Sequence, residues 1–191
     1  MTFKTKQFVQ TALLLALCIV SQYFKNFSVY ITGPIINTIL IIATLAVGLY
    51  SGLIISVITP VTAFIITGSP IMAAIPAILP VIILGNVILV CSTYYFQNKH
   101  TFKYHLQAGL FVGSILKAIF MGAVIVLVLL PLLGDNIASH LPKPEVLPMV
   151  LATAKITFSV TQLITAFLGS ILAYLIWMPL KKYLKAENEG K

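Results

Sequence analysis

Two lysines of this sequence lie inside long apolar stretches, Lys117 in GSILKAIFMG and Lys155 in ATAKITFSVTQ. An ammonium group near the middle of a lipid bilayer costs about 2.5 kcal/mol or more, so a lysine at that depth is a candidate functional residue. Neither stretch contains an Asp or Glu that could pair with the lysine, so the two cationic groups fit an anionic solute better than a cation. The alternative for Lys155 is that its ammonium snorkels to the lipid headgroups.

Further polar residues occur at similar depths in the predicted helices. Lys155, Ser159 and Gln162 follow an i, i+4, i+7 spacing and share one face of a continuous helix. At the rise of an α-helix, Lys155 lies about 10 Å and Asn86 about 14 Å below the outer surface. Gln162 lies at about 21 Å, level with Lys117. We predict that Lys155 contacts an anionic group of a ligand and that Asn86 orients the ligand. Ser159, Gln162 and Lys117 complete the predicted site. The alternative is that these polar residues bind no ligand and make hydrogen bonds that hold the helices together.

The composition requires that lipid surrounds the helices that carry these residues. The chain has 191 residues, of which 60% are hydrophobic and 8% charged, whereas a soluble domain has roughly 25% charged residues. Twelve lysines against four acidic residues give a net charge of +8, which suggests either nucleic acid or anionic lipid as a partner. Cys18 and Cys91 fall inside apolar runs, and we predict neither a disulfide nor a metal site.

The apolar segments define the elements that must position the polar residues. A membrane-spanning helix needs about 20 apolar residues, and the interruptions leave room for six such helices. We therefore predict an all-α integral membrane protein, with one transmembrane domain over 1–191 that ends in a short polar tail at 180–191. The predicted helices cover 8–24, 35–48, 52–67, 76–96, 107–131 and 149–179.

The distribution of lysines predicts the orientation of these helices, because short cytoplasmic loops carry the excess of positive charge. With the N-terminus inside, the opposite side holds only Lys25 and Lys143. We therefore predict that both termini are cytoplasmic, which explains the basic charge without nucleic acid. The predicted cytoplasmic lysines are Lys4, Lys6, Lys99, Lys103, Lys181, Lys182, Lys185 and Lys191.

Sequence motifs of common enzymes are absent. No P-loop, GxSxG, HExxH or CxxC motif occurs in the sequence. His100, His105 and His140 lie in predicted loops, without a carboxylate or thiol at ligand spacing. We therefore expect no enzymatic activity, no metal and no other cofactor.

The first helix and the overall size carry a resemblance to a known family. A basic start is followed by TALLLALC, in which Ala12 and Ala16 have an A-x-x-x-A spacing. Together with six hydrophobic helices, this makes the whole chain resemble the substrate-binding S-components of energy-coupling factor (ECF) transporters. The resemblance implies a multi-pass protein of a prokaryotic cytoplasmic membrane that works with a scaffold (T) subunit and two cytoplasmic ATPase subunits. It also implies that Ala12 and Ala16 dock on the scaffold, since small residues four apart permit close helix approach.

The same resemblance implies capture of a small water-soluble vitamin or precursor near the external side, under the loop between the first two helices. That loop is KNFSVYITGP here, residues 25–34, with Tyr30 as a candidate contact, and an ordinary external loop is the alternative. Asn37 just beyond it could cap the second helix or face the site. The segment TGSPIMAAIP after the third helix is a second candidate lid. No motif identifies the vitamin, and pantothenate is one example of a carboxylated one.

Two other functions stay open on the sequence. One is an autonomous secondary transporter for a small organic solute, and the other is a structural membrane protein without a solute. A secondary transporter would be expected to contain internal repeats or broken helices around its site. No clear repeat relates the two halves of this sequence.

Overall fold

The chain forms a bundle of helices in a computed structural model that describes residues 5–26, 28–99, 103–141 and 143–189. Within these ranges no residue belongs to a β-strand, and the predicted all-α class is confirmed. The helices are α1 Thr5–Gln22, α2 Val29–Ile42, α3 Leu49–Thr67, α4 Pro70–Ala74, α5 Ile78–Asn98, α6 His105–Met121, α7 Leu130–Leu133, α8 Leu147–Thr157 and α9 Val160–Glu189. Some residues named in the sequence analysis lie outside the described residues, namely Lys4, His100 and Lys191. The side chains of Lys25 and Asn26 also lie outside them.

Short non-α segments extend two of these helices. A π-helical turn, Ala43–Val47, continues α2, and a second one, Gly122–Leu129, joins α6 to α7. A 3-10 segment, Gly134–His140, then follows α7 directly. The fifth predicted helix therefore continues past 131, its predicted end, into the segment before the sixth predicted helix.

Five of the described segments are long and apolar enough to cross a membrane. They are Val29–Val47, Leu49–Thr67, Ile78–Asn98, His105–His140 and Leu147–Ala186. Helix α1 has 18 residues and carries polar residues near both ends, among them Lys6 and Gln22. The crossing by α1, and with it the total of six, stays a prediction, as does the side of the membrane on which the termini lie.

Hydrogen bonds between helices show how they run relative to one another. Helices α1 and α3 are parallel, since Thr11 bonds to Ser51 at 2.9 Å and, further along both, Gln22 Nε2 donates to the Thr59 carbonyl at 3.0 Å. Helix α3 turns back directly from α2 at Gly48, whose φ of 130° favours glycine. Helices α1 and α2 therefore run in opposite directions.

The remaining helices complete this alternation. Helix α9 is parallel to α2, because Gly33 lies against Thr165 and, further along both helices, the Thr38 hydroxyl donates to the Gly169 carbonyl oxygen at 3.1 Å. Helix α6 is antiparallel to α5, because Ser92 late in α5 bonds to the Gly109 carbonyl early in α6. One end of the bundle, called the loop end here, therefore holds the last residues of α1 and α3 and the first residues of α2, α5 and α9.

Glycine allows α2 and α9 to pack closely. A Cβ atom on Gly169 would lie 2.5 Å from the Asn37 Cβ and 2.9 Å from the Pro34 carbonyl oxygen. A Cβ on Gly33 would lie 2.7 Å from a methyl carbon of Thr165. Small residues at such contacts let helix backbones approach each other in a membrane. The close contact fixes the position of Asn37 relative to α9.

The start of α2 and the course of the last predicted helix differ from the prediction, for local reasons. Helix α2 begins at Val29 rather than at 35, because the Ser28 hydroxyl accepts the Tyr30 N–H at 3.1 Å and caps the helix. The second half of the predicted loop 25–34 is therefore helical. The predicted helix 149–179 is interrupted at Phe158 and Ser159, which separate α8 from α9, and α9 continues through the predicted tail to Glu189.

A hydrophobic cluster fills the loop end of the bundle. Helix α4, part of the second candidate lid TGSPIMAAIP, contributes to this cluster rather than lying in an open loop. The cluster also takes residues from α5, from the helical segment 105–140 and from α8 and the turn after it. Its fully buried members include Ile75, Ile78, Met121, Ile125 and Ile137.

Candidate functional site

A cavity of about 140 Å³ lies between the helices in the half of the bundle nearer the loop end. Its walls come from α2, α3, α4, α5, α6 and α9, from the last residue of α8 and from the turn between α8 and α9. One water molecule needs roughly 10–15 Å³ of such space, so the cavity has room for a small organic molecule. Three polar side chains meet at its wall, Lys117, Asn37 and Asn86.

The Lys117 ammonium is the centre of this polar group. Its side chain is 3% exposed, and Nζ donates to Asn37 Oδ1 at 2.6 Å and to Asn86 Oδ1 at 2.8 Å. These are short, charge-assisted hydrogen bonds that join α6 to α2 and α5. No carboxylate of the described residues pairs with this ammonium, since Asp135 lies in the 3-10 segment after α7 and Glu145 in a second one, Pro144–Val146, just before α8.

The chemistry of lysine fixes the orientation of both amides. An ammonium group has three N–H donors and no acceptor, so each asparagine must turn its oxygen toward Lys117 and its NH₂ group away. Among the described residues, neither NH₂ group of Asn37 and Asn86 has an acceptor, and both side chains line the cavity. The third N–H of Lys117 likewise has no acceptor among these residues. This part of the wall therefore presents hydrogen-bond donors.

Packing between helices holds the three residues together. Gly85, next to Asn86, lets α5 approach α6, because a Cβ there would lie 2.9 Å from Met121. One turn before Lys117, the hydroxyl groups of Ser114 and Ser170 are 3.0 Å apart and join α6 to α9. The hydrogen-bonded group is therefore built on the rigid middle of the bundle rather than on loops.

The structure brings together four of the seven predicted ligand-binding residues. Gln162 joins Lys117, Asn37 and Asn86 in the cavity wall, and its Nε2 lies 3.4 Å from the Thr157 carbonyl oxygen. Asn37 lies well inside α2 and faces the cavity, so the alternative that it caps the helix is wrong.

The other three predicted residues lie outside the cavity wall. Lys155 is exposed on α8. Ser159 donates its hydroxyl to the Lys155 carbonyl oxygen across the interruption between α8 and α9. Tyr30 is 50% exposed, and its hydroxyl lies 3.4 Å from that of Thr161. The interruption explains why the i, i+4, i+7 spacing failed, since it places Lys155 and Gln162 on separate helices.

Sequence reasoning did not identify several residues of the wall. Thr59 and Thr165 contribute hydroxyl groups and Phe158 contributes apolar surface, whereas Thr32 and Met72 lie in the two candidate lid segments. Threonine is common in membrane helices, where its hydroxyl often bonds to the preceding turn, so nothing in the sequence distinguishes Thr59 and Thr165 from the others. Helix periodicity alone does not show which face of a fully apolar helix meets a cavity.

The predicted docking residues lie on the outer surface of α1. Ala12 and Ala16 are both exposed, together with the large apolar side chains of Leu13 and Leu17. Their role in docking stays a prediction.

Comparison with known proteins identifies one family. A family model described as the substrate-specific component of ECF transporters matches residues 6–180, nearly the whole chain. No curated protein and no solved structure matches the chain significantly.

Proposed function

Since this chain belongs to the family of ECF transporter substrate-specific components, it is an integral membrane subunit for substrate binding, and we propose that the Lys117 cavity holds its substrate. The substrate would be a small water-soluble vitamin or vitamin precursor. An anionic compound such as pantothenate fits this site better than a cation. The family is one of transport subunits rather than enzymes.

The hydrogen-bonded Lys117 supports this proposal more than any other feature. A lysine buried at membrane depth is costly, and its two amide partners carry no charge that would neutralise it. A structural role alone would be met as well by a neutral donor such as glutamine. An anionic solute next to Lys117 would supply the missing negative charge and occupy the cavity at the same time.

We propose that the substrate enters from the loop end, which the lysine distribution predicts to be external. Tyr30 and Lys155 lie near this end, and we place them at the entrance rather than in contact with the bound substrate. Release to the cytoplasm would require the scaffold subunit and two ATPase subunits of a prokaryotic cell membrane. The exposed Ala12 and Ala16 face of α1 is the proposed docking surface for the scaffold.

Reconstitution tests whether this chain alone binds the substrate and whether transport needs the scaffold and ATPase subunits. The small molecule that co-purifies with the chain would be identified by mass spectrometry, and its radiolabelled form offered to proteoliposomes. We expect binding by the chain alone, and ATP-dependent uptake only when the scaffold and ATPase subunits are added. Uptake by the chain alone would contradict the proposal.

One observation favours a second candidate, an autonomous secondary transporter. The interruption between α8 and α9 borders the cavity, and broken helices at the substrate site are common in such transporters. The same experiment separates the two functions, because a secondary transporter would accumulate the molecule in response to an ion gradient without any ATPase.

A further inference from the structure

The cavity wall has a second polar part that differs in chemistry from the Lys117 group. Three threonine hydroxyls of the wall already donate their hydrogen to a carbonyl oxygen of their own helix. Thr59 donates to Ile55 at 2.6 Å and Thr165 to Thr161 at 2.8 Å, and Thr32 lies 3.4 Å from the Ser28 oxygen. A hydroxyl that has given its hydrogen can only accept further hydrogen bonds.

Gln162 adds a fourth acceptor. Its Nε2 is directed toward the Thr157 carbonyl oxygen, which can only accept, so the Oε1 atom faces elsewhere. Among the described residues nothing donates to this oxygen. The cavity therefore has donors on the side of Lys117, Asn37 and Asn86, and acceptors on α2, α3 and α9.

Most of the remaining wall is aliphatic and includes Ile36, Pro60, Ala63, Met72 and Ile82. Phe158 is the one aromatic ring among the lining residues of the described chain. Flat heteroaromatic ligands are commonly held between aromatic faces or against one such face and an arginine. This chain contains no arginine. Among the described residues, no second ring lines the cavity opposite Phe158.

From this pattern we infer the substrate class, an inference that rests on the proposed function. The site takes a small aliphatic carboxylate that also carries hydroxyl or amide N–H groups. The carboxylate accepts from the third N–H of Lys117 and from the NH₂ groups of Asn37 and Asn86. The hydroxyl or amide groups of the ligand donate to Gln162 Oε1 and to the threonine hydroxyls.

The first test is the identity of the bound molecule. The chain is purified from prokaryotic cells grown in rich medium, and its small-molecule content is released by denaturation and analysed by mass spectrometry. We expect a compound with a carboxylate, at least one hydroxyl or amide N–H, and no fused aromatic ring. A fused heteroaromatic acid would overturn the inference but leave the proposed function standing, whereas a cation would overturn both the inference and the anionic substrate of the proposed function. The absence of any bound molecule would overturn both.

The second test assigns the carboxylate to Lys117. Isothermal titration compares the identified acid with its own primary amide, on the native chain and on Lys117→Met. On the native chain we expect the acid to bind about tenfold or more tightly than the amide, because a charge-assisted hydrogen bond is lost in the amide. On Lys117→Met the two should bind within about twofold of each other.

A uniform loss of affinity caused by imperfect folding does not change this comparison, because acid and amide are measured on the same protein. Lys182→Met, at an exposed position far along α9, is the matched control and should keep the full preference for the acid. A preference for the acid that survives in Lys117→Met would overturn the assignment. So would equal binding of acid and amide by the native chain.

Discussion

Gly169→Ala would disturb the site without touching the substrate. The added Cβ would lie 2.5 Å from the Asn37 Cβ and 2.9 Å from the Pro34 carbonyl oxygen. Carbon atoms in contact are separated by about 3.5–4.0 Å, so α2 and α9 must separate by about 1 Å at this point. Asn37 would move with α2, and its 2.6 Å hydrogen bond to Lys117 would stretch beyond the usual range of about 2.7–3.2 Å.

The expected magnitudes follow from this displacement. Overpacking of this kind costs about 1–3 kcal/mol of folding free energy. Loss of a hydrogen bond to a charged group corresponds to about 1.5–3 kcal/mol, and part of that loss would appear in ligand binding. We expect the affinity for the co-purified molecule to fall about tenfold in isothermal titration, with a lower midpoint of thermal unfolding.

Gly122→Ala is the matched control for this variant. The same methyl group at Gly122 would meet its nearest atom, the Ser159 Cβ, at 3.6 Å, which is an ordinary contact. We expect this control to keep native affinity. If Gly169→Ala were destabilised but bound the molecule as tightly as Gly122→Ala, the position of Asn37 would not matter for binding and the reasoning would be refuted.

Three further predictions concern the site and the docking surface. Lys117→Met should weaken binding of the co-purified molecule by about 10- to 150-fold in isothermal titration, which is the free energy of one hydrogen bond to a charged group. Native affinity in this variant would exclude Lys117 from the site. Lys155→Met should change this affinity by less than about threefold, because Lys155 is exposed on α8, and a loss above tenfold would restore it as the first contact. Replacing Ala12 and Ala16 with Leu should prevent co-purification with the scaffold subunit while leaving titrated binding intact, since bulky residues block close helix approach. A stable complex would refute that docking role.

The polar members of the site could be identified from the sequence because they are rare. Lys117 and Asn86 stand in stretches where most neighbours are apolar, Gln162 follows Lys155 and Ser159 at helical spacing, and a polar group in lipid is costly wherever it points. The resemblance to ECF transporter S-components was likewise visible in size and hydrophobicity. The family match over 6–180 confirms it.

Which polar residues meet could not be predicted by counting depth along the helices. That count placed Asn86 near the depth of Lys155, and Lys117 at the depth of Gln162. In the structure, Lys117 Nζ instead donates to Asn86 Oδ1 at 2.8 Å. A lysine has a flexible four-carbon stem, so its ammonium can lie well away from the level of its own Cα. Depth along a straight helix therefore gives the level of the backbone and not of the charge.

The exclusion of Lys155 depends on a local interruption that the sequence does not signal. No glycine or proline marks Phe158 and Ser159, and the helical spacing continues through them. The interruption is stabilised by side chains, since Ser159 and Gln162 donate to the carbonyl oxygens of Lys155 and Thr157. Serine makes the same bond to the preceding turn within unbroken helices, so these residues do not mark an interruption in the sequence.

The most direct measurement is an experimental structure of the chain with its co-purified molecule bound. We expect density for the molecule in the Lys117 cavity, with an acceptor atom of an anionic group about 2.7–3.2 Å from Lys117 Nζ. Density for the molecule against Lys155 at the loop end, with the Lys117 cavity empty, would contradict this expectation.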